Sequence, residues 1–146
     1  MTPAEIGAKL SEALGATVTE SAGGPFARAT ADVPAERWVA AVQLVRDELS
    51  CDFFDWLTAV DELDEGFAIV AHLWSTSQKH GVLLRTRVPR EAPAVESLTR
   101  LYPGAAWHER ETHDFFGIRF SGHPNLVPFL LAEDATYHPL RKDFTT

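Results

Sequence analysis

The chain contains a single cysteine, Cys51. One thiol excludes an internal disulfide. It also excludes a four-cysteine zinc or iron–sulfur site supplied by this chain alone. Such sparse cysteine usage suits a reducing cytosol. Positive charge is scarce too: 13 lysines and arginines face 21 acidic residues, a formal net charge of -8. That balance argues against nucleic acid as a partner and against anionic lipid held by charge. No apolar run approaches the ~18 residues of a membrane-spanning helix. The opening Met1-Thr2-Pro3-Ala4-Glu5-Ile6 has neither the basic nor the apolar region of a signal peptide. The expectation is contact with a membrane only through a partner. Several machineries are also missing. There is no G-x-G-x-x-G dinucleotide loop, no G-x-x-x-x-G-K-[ST] phosphate loop and no G-x-S-x-G nucleophile elbow. Cys51 lies beside Asp52, with no cationic neighbour in sequence to lower its pKa, so a buried structural thiol is expected.

What remains is a chain of 146 residues, 45% hydrophobic and 23% charged. A chain of this size buries roughly 68–70% of its unfolded surface and builds a core without staples. Ile6, Leu10, Ala13 and Leu14 recur at helical spacing over Pro3–Leu14, and Gly15 stops that helix. Residues 18–28 give no clear signal, apart from a turn at Gly23-Gly24-Pro25; residues 26–33 read as a strand leading into a helix start. Pro34 suits a first helical turn, and Trp38, Val42, Val45 and Leu49 set a helical stripe over 35–49 that would pack on a sheet. Strands are expected over 53–60, Phe67–Ser75 and 82–88, the last two forming a hairpin around a Gly-containing polar turn. Residues 94–102 read as a short helix stopped by Pro103-Gly104. A second helix spans Ala105–Phe116 and stops at Gly117. Residues 118–146, rich in Pro, His and Gly, read as ordered but irregular. The order predicts an α+β single domain, a mixed or antiparallel sheet packed by helices, with an extended irregular C-terminal segment. The division is a core over 1–117 and a partner-binding extension over 118–146.

The densest polar cluster is Trp107-His108-Glu109-Arg110-Glu111-Thr112-His113-Asp114. A zinc-protease helix needs histidines at i and i+4. His108 and His113 diverge by about 140° at ~100° per residue and cannot share one ion on an intact helix. Glu109 and Glu111 point roughly 200° apart, so local geometry gives them no shared acid–base pocket. Glu109, His113, Arg110, Asp114 and Glu111 fill one broad arc, with Arg110 and Asp114 spaced for an i, i+4 pair. His108, Thr112, Phe115 and Phe116 fill the opposite arc. A solvated polar face and a protein-contacting one both fit, and the sequence alone favours the solvated one. The two His-Pro dipeptides, His123-Pro124 and His138-Pro139, read as rigid turns with hydrogen-bonded rings. Arg141 and Lys142 bring positive charge that either pairs with a partner or is solvated.

The run Glu109-Arg110-Glu111-Thr112-His113-Asp114-Phe115-Phe116-Gly117-Ile118 resembles the signature of one family. Gly122-His123-Pro124-Asn125-Leu126, Glu133-Asp134 and His138-Pro139-Leu140-Arg141-Lys142-Asp143-Phe144 continue it in order. The family is the C subunit of respiratory NADH–quinone oxidoreductase (complex I), with relatives in membrane-bound hydrogenases and related dehydrogenases. The chain departs from it at Val127-Pro128, where basic residues are usual. It departs again at Ala132, where proline is usual, and at Ala135-Thr136-Tyr137, where a Trp-x-Gly is usual.

The resemblance implies a non-catalytic peripheral-arm subunit of a proton-translocating complex. It would lie at the cytoplasmic face of the cell membrane, beside the quinone-site large subunit and the iron–sulfur subunits. It implies no catalytic, metal or cofactor-binding residue in this chain, with FMN, iron–sulfur clusters and quinone held by partner subunits. Glu109, Arg110, Glu111, Asp114, His123, Arg141, Lys142 and Asp143 are then expected as polar structural or interface residues. Phe116, Gly117, Pro124 and Leu140 would set turns and packing. An equivalent component of a membrane-bound hydrogenase or related complex is the nearest alternative. The different-class competitor is a stand-alone enzyme using Glu109, Glu111 and nearby histidines.

Overall fold

The computed structural model describes residues 1–15, 17–20, 27–124, 138, 140 and 141. The chain opens with helix α1, Pro3–Leu14. Thr2 caps it: its hydroxyl accepts from the Glu5 N–H at 3.2 Å and donates to the Glu5 carboxylate at 3.0 Å. Pro3 occupies the first turn, where no N–H is needed, and Gly15 ends the helix with a left-handed backbone. Ile6, Leu10 and Leu14 are its buried stripe.

Strands β1 (Thr17–Glu20) and β2 (Ala29–Asp32) follow. A 3-10 turn, Ala35–Arg37, leads into α2, Trp38–Glu48. The expected stripe of Trp38, Val42, Val45 and Leu49 is buried. Three long strands come next: β3 (Phe53–Asp61), β4 (Phe67–Ser75) and β5 (His80–Val88). β4 and β5 form the antiparallel hairpin read from the sequence. Along β5, Leu84, Thr86 and Val88 point inward and Arg87 outward, as the alternation requires. In β3 the inward residues Phe54 and Leu57 are three apart. A bulge between Phe54 and Trp56 resets the phase, so both still reach the core.

The sheet order is β1-β2-β5-β4-β3. β2 and β5 are parallel at its centre, and the other pairs are antiparallel. The sheet is therefore mixed, as expected. Buried residues of α1, α2 and the helix α3 (Ala105–Phe116) share one core cluster with Leu57, Ile69, Ala71, Leu73, Val82 and Leu84. The helices thus pack against one face of the sheet. Cys51 is buried in that core, and burial pushes its thiol up to about 12.

Two expectations fail. Residues 94–102 are not a helix: Ala94–Glu96 is strand β6, pairing in parallel with β7, Arg119–Ser121. Alternation wins there, because Val95 is buried between exposed Ala94 and Glu96. The ladder is extended by Arg119 N–H to Pro93 O at 2.9 Å and Ser97 N–H to Ser121 O at 2.8 Å. Residues 118–146 are likewise not irregular throughout, since β7 is a regular strand within them. The expected turn at Gly23-Gly24-Pro25 lies outside the described residues.

Candidate functional site

The motif residues converge on α3 and on the chain that returns to it. Glu109 is 0% exposed. Its carboxylate accepts the Ser97 hydroxyl at 2.6 Å and the Leu98 N–H at 2.7 Å. It thereby fastens the 97–98 turn to the helix and occupies the amide that a helix over 94–102 would have used internally. Burial pushes this carboxyl up to about 7, against the two hydrogen bonds that favour its charge.

The solvated-face expectation for α3 is overturned at two positions. Glu109 and Asp114, both placed on the polar arc, are buried, at 0% and 4% exposure. Trp107 is exposed and His108 is half-buried. The arc argument assigns carboxylates to solvent, but Glu109 finds two protein donors that replace water. Arg110, Glu111 and His113 are half-buried. The two helix histidines go separate ways, as their spacing requires. His108 packs on Phe54 and Trp107, and His113 donates its Nδ1–H to Ile118 O at 2.8 Å.

The C-terminal end of α3 is closed by the returning chain. Its last carbonyls would otherwise lack partners. Gly117 N–H donates to His113 O at 2.8 Å. His138 Nδ1–H donates to Asp114 O at 3.1 Å, and Leu140 N–H to Phe115 O at 3.2 Å. Arg141 Nε–H donates to Phe116 O at 2.7 Å. Gly117 makes this possible: its φ is +78°, and a Cβ there would stand 2.8 Å from His138 Nε2 and 2.9 Å from Arg141 Nη2. The guanidinium of Arg141 also lies 5.1 Å over the Phe67 ring, and Phe116 meets the same ring edge-on at 6.0 Å.

The first His-Pro pair anchors at the other end of the helix. His123 Nε2–H donates to Ala106 O at 2.9 Å, in the first turn of α3. Both histidines are therefore ring-bonded to backbone, as read from the sequence. Pro124 and Leu140 are exposed, and Lys142 and Asp143 lie outside the described residues. So do Asn125, Leu126, Glu133, Asp134, Pro139 and Phe144.

Several participants escape sequence reasoning. Ser97 carries no local signal for its role, because its partner is twelve positions away. Phe67 reads only as a strand residue. Arg90 ion-pairs with the buried Asp61 and lies 4.9 Å over Phe67, and no local pattern singles it out. Arg119 is legible: once Phe120 points inward, Arg119 must point outward.

Fold and site together define a two-layer α+β domain whose polar motif residues bond to backbone at both ends of one helix. Residues 31–146 match the family described as the respiratory-chain NADH dehydrogenase 30 Kd subunit. The chain belongs to that family. It is 46% identical over 112 residues to the C subunit of NADH-quinone oxidoreductase from Roseiflexus castenholzii, covering 74% of this chain and 64% of that protein. The chain thus spans under two thirds of that relative's length. A trypsin-resistant fragment of Nqo5 superposes with a TM-score of 0.73 at 26% identity, covering 86% of this chain and 100% of the fragment. A polypeptide of a membrane-bound sulfane sulfur reductase, an archaeal respiratory membrane complex, superposes with a TM-score of 0.83 at 28% identity. That match covers 97% of this chain and 85% of the other.

Proposed function

We propose that this chain is a non-catalytic structural subunit of the peripheral arm of a proton-translocating NADH–quinone oxidoreductase. It docks on the quinone-site large subunit and beside the iron–sulfur subunits, at the cytoplasmic face of the membrane. FMN, iron–sulfur clusters and quinone belong to those partners. The family match over residues 31–146 supports the complex. The observation that carries the scaffolding role is the use of the motif's polar groups. Glu109, His113, His123, His138 and Arg141 each bond to backbone, building a rigid frame around α3. Polar groups bonded to backbone in this way support a role in positioning surfaces. Among the described residues no helix is long and apolar enough to cross a membrane. Attachment through a neighbouring subunit is consistent with that.

An equivalent place in a related membrane complex is the second reading. It is favoured by the TM-score of 0.83 to the sulfane sulfur reductase polypeptide. Affinity purification of the tagged chain from gently solubilised native membranes separates the two. Co-recovery of flavin-site and quinone-site subunits with NADH-driven quinone reduction is the expected result. Recovery of a nickel-site large subunit with hydrogen-dependent activity would move the chain to the other branch. Turnover or stoichiometric metal in the isolated chain would overturn the scaffolding role.

A further inference from the structure

A groove of about 440 Å³ opens beside the C-terminal end of α3. Arg90, Arg119 and Arg141 line it together with Gly117 and the Ala-Pro-Ala stretch 92–94. Arg46, Arg85, Arg87, Arg90 and Arg100 each have a carboxylate partner. Neither Arg119 nor Arg141 has one among the described residues. Arg141 is fixed through Nε to Phe116 O and by its stacking on Phe67, and among the described residues its two Nη nitrogens have no hydrogen-bond partner. Arg119 is exposed on β7, and its strand is held by the bond from its own N–H to Pro93 O. One acidic side chain, Glu91, also lines the groove. An immobilised guanidinium fork is a preorganised carboxylate receptor, and its ordering cost is met before binding.

We propose that this groove receives an acidic side chain of a neighbouring protein subunit, its carboxylate accepting from Arg119 and Arg141 and its methylenes lying on the 92–94 wall. The proposal rests on the docking reading above and names the chemistry of one contact in it. The chain's formal charge of -8 opposes approach to an extended anionic surface such as lipid or nucleic acid, whereas a single carboxylate on a folded partner meets mainly the local positive charge of Arg119 and Arg141, so it is the favoured occupant.

The test uses the tagged full chain in the complex purified from native membranes. In Arg119→Lys, a carbodiimide joins the new amine to a carboxylate only at ion-pair distance. The expected product is an amide from position 119 to an Asp or Glu of a co-purifying subunit. Arg119→Glu, which alters an exposed side chain, should leave the melting temperature unchanged and cut subunit recovery by at least about tenfold, the scale of placing like charges across an interface. If the complex co-purifies but no product forms at position 119 and Arg119→Glu gives full recovery, this contact is wrong and the docking reading stands. If the wild type brings down no subunit, both fall. A product joining position 119 to this chain's own carboxylates overturns the proposal. So does binding of the wild type, but not of Arg119→Glu, to phosphatidylglycerol vesicles.

Discussion

Glu109 holds its carboxyl group in the protein interior, between the Ser97 hydroxyl and the Leu98 amide. A fully buried carboxyl with a pKa of about 7, against an ordinary 4.5, makes folding pH-dependent. Between those two values the native state keeps a proton that the unfolded state releases. The stability this proton supplies is fully present below pH 4.5 and is lost as pH rises through 7. Denaturant titrations of the wild type at pH 5 and pH 8 should therefore show a loss on the order of 3 kcal/mol from this group. Glu109→Gln has no proton to lose, so its curve should be flat by comparison over the same window. A wild type and variant with parallel pH profiles would mean that water reaches the carboxyl. Sequence reasoning singles out Glu109 but puts it in solvent. The reason is physical: the donors that make burial tolerable, Ser97 and the Leu98 amide, come from a turn remote in the chain. Gly117 is the more legible residue. A glycine after a helical run signals a left-handed cap, and its φ of +78° fits that role. Gly117→Ala should lower stability by about 1–3 kcal/mol, because it forces a Cβ into a left-handed backbone and against His138 and Arg141. A melting curve reads this directly.

Elements show a different balance between local and remote causes. α1, α2 and α3 follow their apolar spacing and punctuation, so they are legible to within a few residues. The stretch 94–102 is not. Its helical propensity is overridden by a parallel pairing with β7, a partner some 25 positions on that no local pattern announces. α3 carries a second long-range dependence, since its last carbonyls are closed by His138, Leu140 and Arg141. Both His138 and Arg141 also place cationic or polarised N–H groups at the negative end of the helix. Each lost bond of this kind is worth about 1 kcal/mol. The double variant His138→Ala/Arg141→Ala should therefore lose about 2 kcal/mol. Hydrogen exchange in the last turn of α3 should quicken by more than exchange in the β4–β5 hairpin, which changes only with the global stability. Unchanged protection in that turn would show that the helix end holds without the returning chain.

At the scale of the whole molecule, the sheet joins two units at one parallel junction. The β4–β5 hairpin is legible from its turn and alternation, and β3 pairs with β4 as its neighbour in sequence. The β2–β5 pairing is not legible, because α2, β3 and β4 intervene between the two strands. A side-chain bridge reinforces that junction. Arg85 grips Asp32 through two bonds, at 2.5 and 2.8 Å, and Arg87 adds a third at 3.2 Å. The Arg85 hydrogen bond, outweighing partial burial, holds the Asp32 carboxyl below the usual carboxylate range. Both side chains are partly exposed, so solvent and salt weaken the pair. A double-mutant cycle of Asp32→Ala and Arg85→Ala should give a coupling of about 0.5–1 kcal/mol at low salt. The sign with pH is opposite to that of Glu109. A depressed carboxyl contributes above its unfolded value of 3.8 and loses that contribution as pH falls through its folded value. The coupling should thus hold constant from pH 6 to 8, shrink in about 1 M salt, and vanish on acidification below 3.8, whereas the Glu109 contribution grows on the way down. A coupling of zero at neutral pH and low salt would leave the parallel junction to its backbone ladder and core packing alone.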